Sequence, residues 1–107
     1  MIGLFNMFNK TDIHEANSQF EATPGAVLLD VRSPREYEEG HLPRSRNIPL
    51  PNIHQTTQCV PKKDTPLFVY CFSGARSGQA VRELRNMGYS NVTNMGGINH
   101  YRGKVEK

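Results

Sequence analysis

The stretch LFVYCFSGARSGQAVRELRNMG, residues 67–88, decides the fold. Leu67–Tyr70 is a short continuous apolar run entered through Thr65-Pro66. Such runs, bounded by breakers, read as strands buried on both faces of a parallel sheet. Cys71 follows at once, then the loop Phe72, Ser73, Gly74, Ala75 and Arg76. A helix is expected over Ser77–Met87, because Ala80, Val81, Leu84 and Met87 recur at helical spacing and Gly88 supplies the stop. Strand, short loop and helix in this order form one half of a strand–helix–strand unit.

Working outward, Ala26–Val31 (AVLLDV) is a second buried run, ending at Asp30-Val31. Asp12 reads as the N-cap of a helix over Ile13–Glu21, with Ile13, Ala16 and Phe20 on one face and Pro24-Gly25 beyond it. Ser33 and Pro34 open a short helix through Glu39, and Gly40 ends it. Asn47-Ile48 is a candidate short strand and Leu50–Gln58 a weak helix. Asn91–Met95 reads as a further strand, and Gly96-Gly97 opens a last turn. Leu4–Phe8 is either a short first strand or a ragged end. Strands alternate with helices, so the class is α/β with a mainly parallel sheet.

Composition bounds what such a chain can do. Its 107 residues make one domain, read as residues 1–107 with possible ragged ends over about 1–10 and 104–107. With 36% hydrophobic and 21% charged residues it holds a real core and is not a disordered polyelectrolyte. The net charge of +3 comes from scattered residues with no basic run, which argues against a nucleic-acid partner. No apolar stretch is long enough for a membrane helix, and MIGLFNMF lacks the basic start and small-residue cleavage site of a secretory signal. Two cysteines, Cys59 and Cys71, do not make a disulfide scaffold. The expectation is a cytoplasmic monomer with reduced thiols and no membrane partner.

Cys71 sits where ligands bind in parallel α/β sheets, outside the carboxyl ends of the strands. A tight loop feeding a helix points backbone N–H groups inward, the helix N-terminus adds partial positive charge, and Arg76 adds a full one. Each favours a thiolate, the nucleophilic form of cysteine. The same pocket suits an anionic substrate or a charged sulfur carried on the cysteine. Taken alone, a free cysteine is equally well a small buried hydrophobe. The neighbouring Gly74, Arg76, Ser77 and helix start favour the functional reading.

Three separated stretches carry a family resemblance: LLDVRSPREYEEGHLPRSRNIPL, YCFSGARS and NMGGINHY, which together span Leu28 to Tyr101. In this order they resemble the rhodanese family of sulfurtransferases. The resemblance implies a three-layer α/β domain with a central, mainly parallel five-stranded sheet flanked by helices. It implies that Cys71 takes a sulfane sulfur from a small anionic donor such as thiosulfate, forming a persulfide. Cyanide or a thiol, a protein thiol included, would then accept it. Phe72, Ser73, Gly74, Ala75, Arg76 and Ser77 would form the loop whose amides surround the outer sulfur, and Arg76 would help bind the donor. No metal or organic cofactor is implied. Four residues separate Cys71 from Arg76. Related phosphatases and arsenate reductases have five, a wider cradle for a tetrahedral oxyanion, and are disfavoured. A sulfur carrier or redox-responsive binding module with little turnover would have nearly the same sequence.

Asp30, Arg32 and His41 match the supporting positions of the family pattern. Asp30 is expected to satisfy backbone donors at its strand end, and Arg32 to pair with Glu36 or Glu38. His41 reads as a structural histidine. The four histidines, His14, His41, His54 and His100, share no ligand-pair spacing with one another or with cysteine, so zinc is not expected. Cys59 reads as a plain thiol and Lys62-Lys63 as a solvated turn. Three departures stand out: Tyr101 where the family usually has Trp, Arg44-Ser45 after His-Leu-Pro, and an apolar Phe72 beside the nucleophile. Tyr can fill an aromatic slot, and His100 beside it is a candidate for the loop mouth.

Overall fold

The computed structural model describes residues 12–107. Asp12 caps helix α1 (Ile13–Ala22), its carboxylate accepting the His14 N–H at 2.8 Å. Strand β1 (Val27–Asp30) leads to α2 (Pro34–Glu39), which starts with a complete capping box. There the Ser33 hydroxyl accepts the Glu36 N–H at 3.2 Å and the Glu36 carboxylate accepts the Ser33 N–H at 3.0 Å. Strand β2 (Ser45–Asn47), a 3-10 turn (Leu50–Gln55) and α3 (Thr56–Cys59) follow. Strand β3 (Leu67–Cys71), α4 (Ala75–Asn86), β4 (Val92–Gly97) and a last 3-10 turn (Ile98–His100) complete the order.

The strands lie in the order β2-β1-β3-β4 and every pairing is parallel. The sheet has four strands among the described residues, where the resemblance implied five. The candidate strand Leu4–Phe8 lies outside the described residues. Side chains alternate across the sheet, and this sets the layers. Leu28, Phe68, Tyr70 and Met95 pack on one face with Ile13, Ala16 and Phe20 of α1. Leu29, Val69 and Cys71 pack on the other with Ala80, Val81 and Leu84 of α4 and with Ile53 and Val60. The period of two therefore aims Cys71 at the α4 layer.

Three boundaries differ from the sequence reading, each for a local reason. Helix α4 begins at Ala75, not Ser77, because Gly74 turns the chain at φ 110° and serves as its N-cap. Strand β2 covers Ser45–Asn47 rather than Asn47-Ile48, because Leu28 and Asp30 pair in register with Ser45 and Asn47. Strand β4 runs on to Gly97, since a bulge after Asn94 resets the register so that Tyr70 and Cys71 pair with Gly96 and Gly97. Near the C-terminus Glu106 forms an antiparallel bridge with His41, through N–H···O bonds of 2.8 and 2.9 Å.

Candidate active site

Cys71 ends the central strand β3 and is buried, 1% exposed. The loop Phe72–Gly74 folds its backbone over the sulfur. The Gly74 N–H donates to Cys71 Sγ at 3.0 Å, and the thiol reaches Ser77 Oγ at 3.5 Å. Ser77 lies in the first turn of α4, so the helix start falls against the sulfur. Close approach of two strand ends makes this possible. A Cβ at Gly97 would overlap the Phe72 carbonyl oxygen and lie 2.7 Å from Ser73 Cα. Phe72 itself turns outward and is half-exposed, and Ser73 is exposed beside it.

Arg76 reaches across to α2. Its two terminal nitrogens donate to the two Glu36 carboxylate oxygens at 2.7 and 3.0 Å, a bidentate pair. The Arg76 guanidinium, with the Ser33 hydrogen bonds behind it, holds the Glu36 carboxyl down at about 2. The same contact raises Arg76 above its ordinary range. The full positive charge of Arg76 is thus matched by Glu36, one of the two carboxylates expected for Arg32.

Arg32 instead folds back onto Asp30. Its Nε donates to both Asp30 oxygens at 3.1 Å and its terminal nitrogen donates to Asp30 Oδ2 at 2.7 Å. That nitrogen also donates to the Gly40 carbonyl at 2.7 Å. Pairing of Arg32 with Glu36 or Glu38 does not occur. Asp30 Oδ1 accepts the Arg32 N–H at 2.9 Å, the strand-end backbone role expected of it. Burial works against the Arg32 charge, and the Asp30 carboxylate outweighs it, so its pKa rises. Beside this pair, burial and then the Asp30 charge push the Tyr70 phenol well up, so it stays neutral; its oxygen accepts the Leu42 N–H at 3.0 Å and lies 3.3 Å from the Ser45 hydroxyl. His41 lies flat on Tyr37, ring centroids 3.7 Å apart, with Nδ1 at 2.8 Å from the Tyr37 carbonyl. These three residues brace the end of β1 and the chain after α2; none contacts the sulfur in the hydrogen-bond network.

Sequence reasoning missed Asn94. Its side-chain oxygen accepts the Ser77 hydroxyl at 2.8 Å and the Gly96 N–H at 2.9 Å. The available signal was a polar residue inside a short strand, next to Gly-Gly. On the α1 side of the loop a cleft of about 570 Å³ is lined by Asp12, His14, Ser73, Gly97, His100 and Arg102 among others. His100 and Ser73 line this same cleft. Tyr101 packs on the α1 cluster and stacks on His14 with centroids 5.2 Å apart, so the aromatic slot is filled. Cys59 is an exposed free thiol. Among the described residues no three His, Cys, Asp or Glu side chains gather as a metal site, and no helix is long and apolar enough to cross a membrane.

A four-strand parallel α/β domain with a buried cysteine at the mouth of its central strand, wrapped by a loop that feeds a helix, defines a class of thiol-centred sites. The comparisons with known proteins place it within that class. A family model for the rhodanese-like domain matches residues 12–104, and the chain belongs to this family. It is 41% identical over 71 residues to the thiosulfate sulfurtransferase PspE of Escherichia coli (strain K12), covering 65% of this chain and 68% of that one. It is 39% identical over 82 residues to the uncharacterized protein YqhL of Bacillus subtilis (strain 168), covering 76% of this chain and 64% of that one. The chain thus spans about two-thirds of the length of these curated relatives. Among solved structures, a rhodanese with anions from E. coli superposes with a TM-score of 0.72 at 36% identity, over 77% of this chain and 98% of that one. The family includes sulfurtransferases, and the fold is the α/β rhodanese fold.

Proposed function

We propose that the protein transfers a sulfane sulfur from a small anionic donor such as thiosulfate to cyanide or a thiol, a protein thiol included, through a persulfide on Cys71. The Gly74 N–H at 3.0 Å from a buried Sγ is the observation that carries the reading. It is a preorganised donor aimed at a sulfur, in a place where charge on that sulfur develops. The Cys71 thiolate attacks the outer sulfur of thiosulfate. A new S–S bond forms to Sγ, the S–S bond of the donor breaks, and its electron pair leaves on sulfite. An acceptor nucleophile then attacks the outer sulfur, and Sγ departs as thiolate. The remaining amides from Phe72 to Ser77 surround the outer sulfur, and Arg76 exchanges Glu36 for the donor anion. No metal or organic cofactor takes part.

The likeness to a thiosulfate sulfurtransferase supports this donor class. The test is thiocyanate formation from thiosulfate and cyanide by wild type and Cys71→Ser, with intact mass after thiosulfate alone. Turnover together with one added sulfur, both lost in Cys71→Ser, is the expected result. An added sulfur without turnover would replace the enzyme by a sulfur carrier. No added sulfur would remove thiosulfate as donor. The free thiols further favour a reducing, cytoplasmic location, which recovery outside that fraction of the cell would overturn. A single-domain monomer is the proposed unit, and sedimentation at a dimer's mass would overturn that.

A further inference from the structure

We propose that the cleft beside the Cys71 loop seats the sulfur acceptor, and that Arg102 and Asp12 select its chemical class: a small amino-acid or peptide thiol carrying both a carboxylate and an ammonium group. This deepens the sulfur-transfer reading and rests on it. The cleft holds about 570 Å³. That is the size of a small-molecule site and far more than cyanide needs. It lies beside the carboxyl end of β4, the end at which parallel sheets bind ligands.

Strand register sets its distance from the nucleophile. Gly96 and Gly97 form part of its wall, and Gly97 pairs with Cys71. Neighbouring strands run about 4.8 Å apart, so a molecule lying on Gly97 is one strand spacing from the Cys71 backbone. Ser73 lines the same cleft, is exposed, and belongs to the loop that wraps the sulfur. That loop sits directly on Gly97, where an added Cβ would lie 2.7 Å from Ser73 Cα. The cleft and the sulfur site thus share one loop.

The charges say what fits. Asp12 comes from the start of α1 and Arg102 from the chain after the last 3-10 turn. His14 ties the two together: its Nε2 accepts the Arg102 N–H at 2.9 Å and its Nδ1 lies 3.3 Å from Asp12 Oδ1. Both backbones are therefore placed before a ligand arrives, which lowers the cost of binding it. The Arg102 guanidinium has no hydrogen bond or ion pair among the described residues, and Asp12 caps α1 through Oδ1 alone. A guanidinium takes a carboxylate, and a carboxylate takes an ammonium. Cyanide and thiosulfate carry no such pair of groups. The seated thiol loses its proton to solvent and attacks the outer sulfur. A new S–S bond forms, the bond to Sγ breaks, and its electron pair stays on Sγ.

Four thiols read the two charges. Cysteinylglycine has both groups, 3-mercaptopropionate only the carboxylate, cysteamine only the ammonium, and 2-mercaptoethanol neither. With thiosulfate as donor, Arg102→Ala is expected to raise the KM for the first two about fivefold, the size of one nearby charge in a wet site, and not for the others. Asp12→Asn keeps the capping oxygen and is expected to raise the KM for cysteinylglycine and cysteamine instead. Arg102→Lys keeps the charge and is expected to hold the wild-type KM. Four KM values that move together, or none that moves, would overturn the seat and leave sulfur transfer standing. Serylglycine separates the two readings, since it has the charges of the peptide and no sulfur. In an NMR titration it is expected to shift the Gly96, Gly97 and Arg102 amides saturably, with affinity about fivefold lower in Arg102→Ala. That result would uphold the seat even if no thiol turned over. No saturable shift at these amides, or equal affinity in Arg102→Ala, would overturn it.

Discussion

At the scale of single residues, Glu36 is the side chain with two claims on it. Its carboxylate caps α2 through the Ser33 N–H and clamps both terminal nitrogens of Arg76. A thiosulfate dianion that uses the Arg76 fork must displace that carboxylate, or else bind beside a like charge. Glu36→Gln keeps a neutral oxygen for Ser33 and removes the competing charge. The expected outcome is a KM for thiosulfate lower on the order of fivefold, the size of one nearby charge in a wet site. Arg76→Lys keeps the charge and loses the planar fork, and is expected to raise the same KM. Initial rates over a thiosulfate series check both; a raised KM in Glu36→Gln would show that the clamp, not the free guanidinium, serves the donor. The sequence revealed the cap, because Ser33 and Glu36 are three apart. It could not reveal the clamp, because Arg76 lies forty residues further on and becomes a neighbour only in the fold. Arg32 departs from the expected Glu36 or Glu38 for the complementary reason: Asp30, two residues away, takes its guanidinium as well as the strand-end N–H.

At the scale of elements, legibility followed the strength of local signals. The caps Asp12 and Ser33, the buried runs at β1 and β3, and the apolar face of α4 are all local, and each placed its element within a residue or two. The segment Leu50–Cys59 is different. The sequence suggests one weak helix over Leu50–Gln58, and the segment forms a 3-10 turn followed by a short α-helix, with Asn52 at φ −109°, ψ 18° inside the turn. No apolar period fixes its path; packing of Ile53 and Val60 against the α4 layer does. Thr56 at the junction is fully buried, and its Oγ1 has no hydrogen-bond partner among the described residues. An unpaired buried hydroxyl costs about 1–3 kcal/mol of desolvation. Thr56→Val keeps the β-branched shape and removes that cost, so stability is expected to rise by about 1 kcal/mol. A denaturant midpoint moved upward at constant slope checks it, whereas a lower midpoint would mean the hydroxyl is satisfied. The bulge at β4 was equally invisible from sequence. It depends on Asn94 holding the Gly96 N–H, a contact two residues long whose meaning appears only once Ser77 lies opposite.

At the scale of the whole molecule, helix α4 is tied to the sheet edge from two sides. Arg76 is held by Glu36 on the connection between β1 and β2, and Ser77 is held by Asn94 on β4. The Cys71 loop is therefore fixed by contacts between distant parts of the chain, and its integrity should follow the charge state of the one tie that titrates. In the folded protein Glu36 is lowered from 4.5 to about 2, with the Arg76 hydrogen bonds as the main cause. A carboxylate whose folded pKa is depressed contributes stability that is complete above its unfolded value. That contribution is lost as pH falls from about 4.5 through about 2. Both side chains are partly exposed, 31% for Glu36 and 39% for Arg76, so salt weakens the effect. Glu36→Gln has no proton to take up at that position. Denaturant midpoints at pH 7, 4.5, 3 and 2 are expected to fall more steeply for wild type than for Glu36→Gln, the wild type's advantage at pH 7 closing below pH 4.5. Repulsion from the growing positive charge acts on both proteins and cancels in the comparison. Parallel pH profiles for the two would mean that the Glu36–Arg76 pair orients the loop without stabilising the fold.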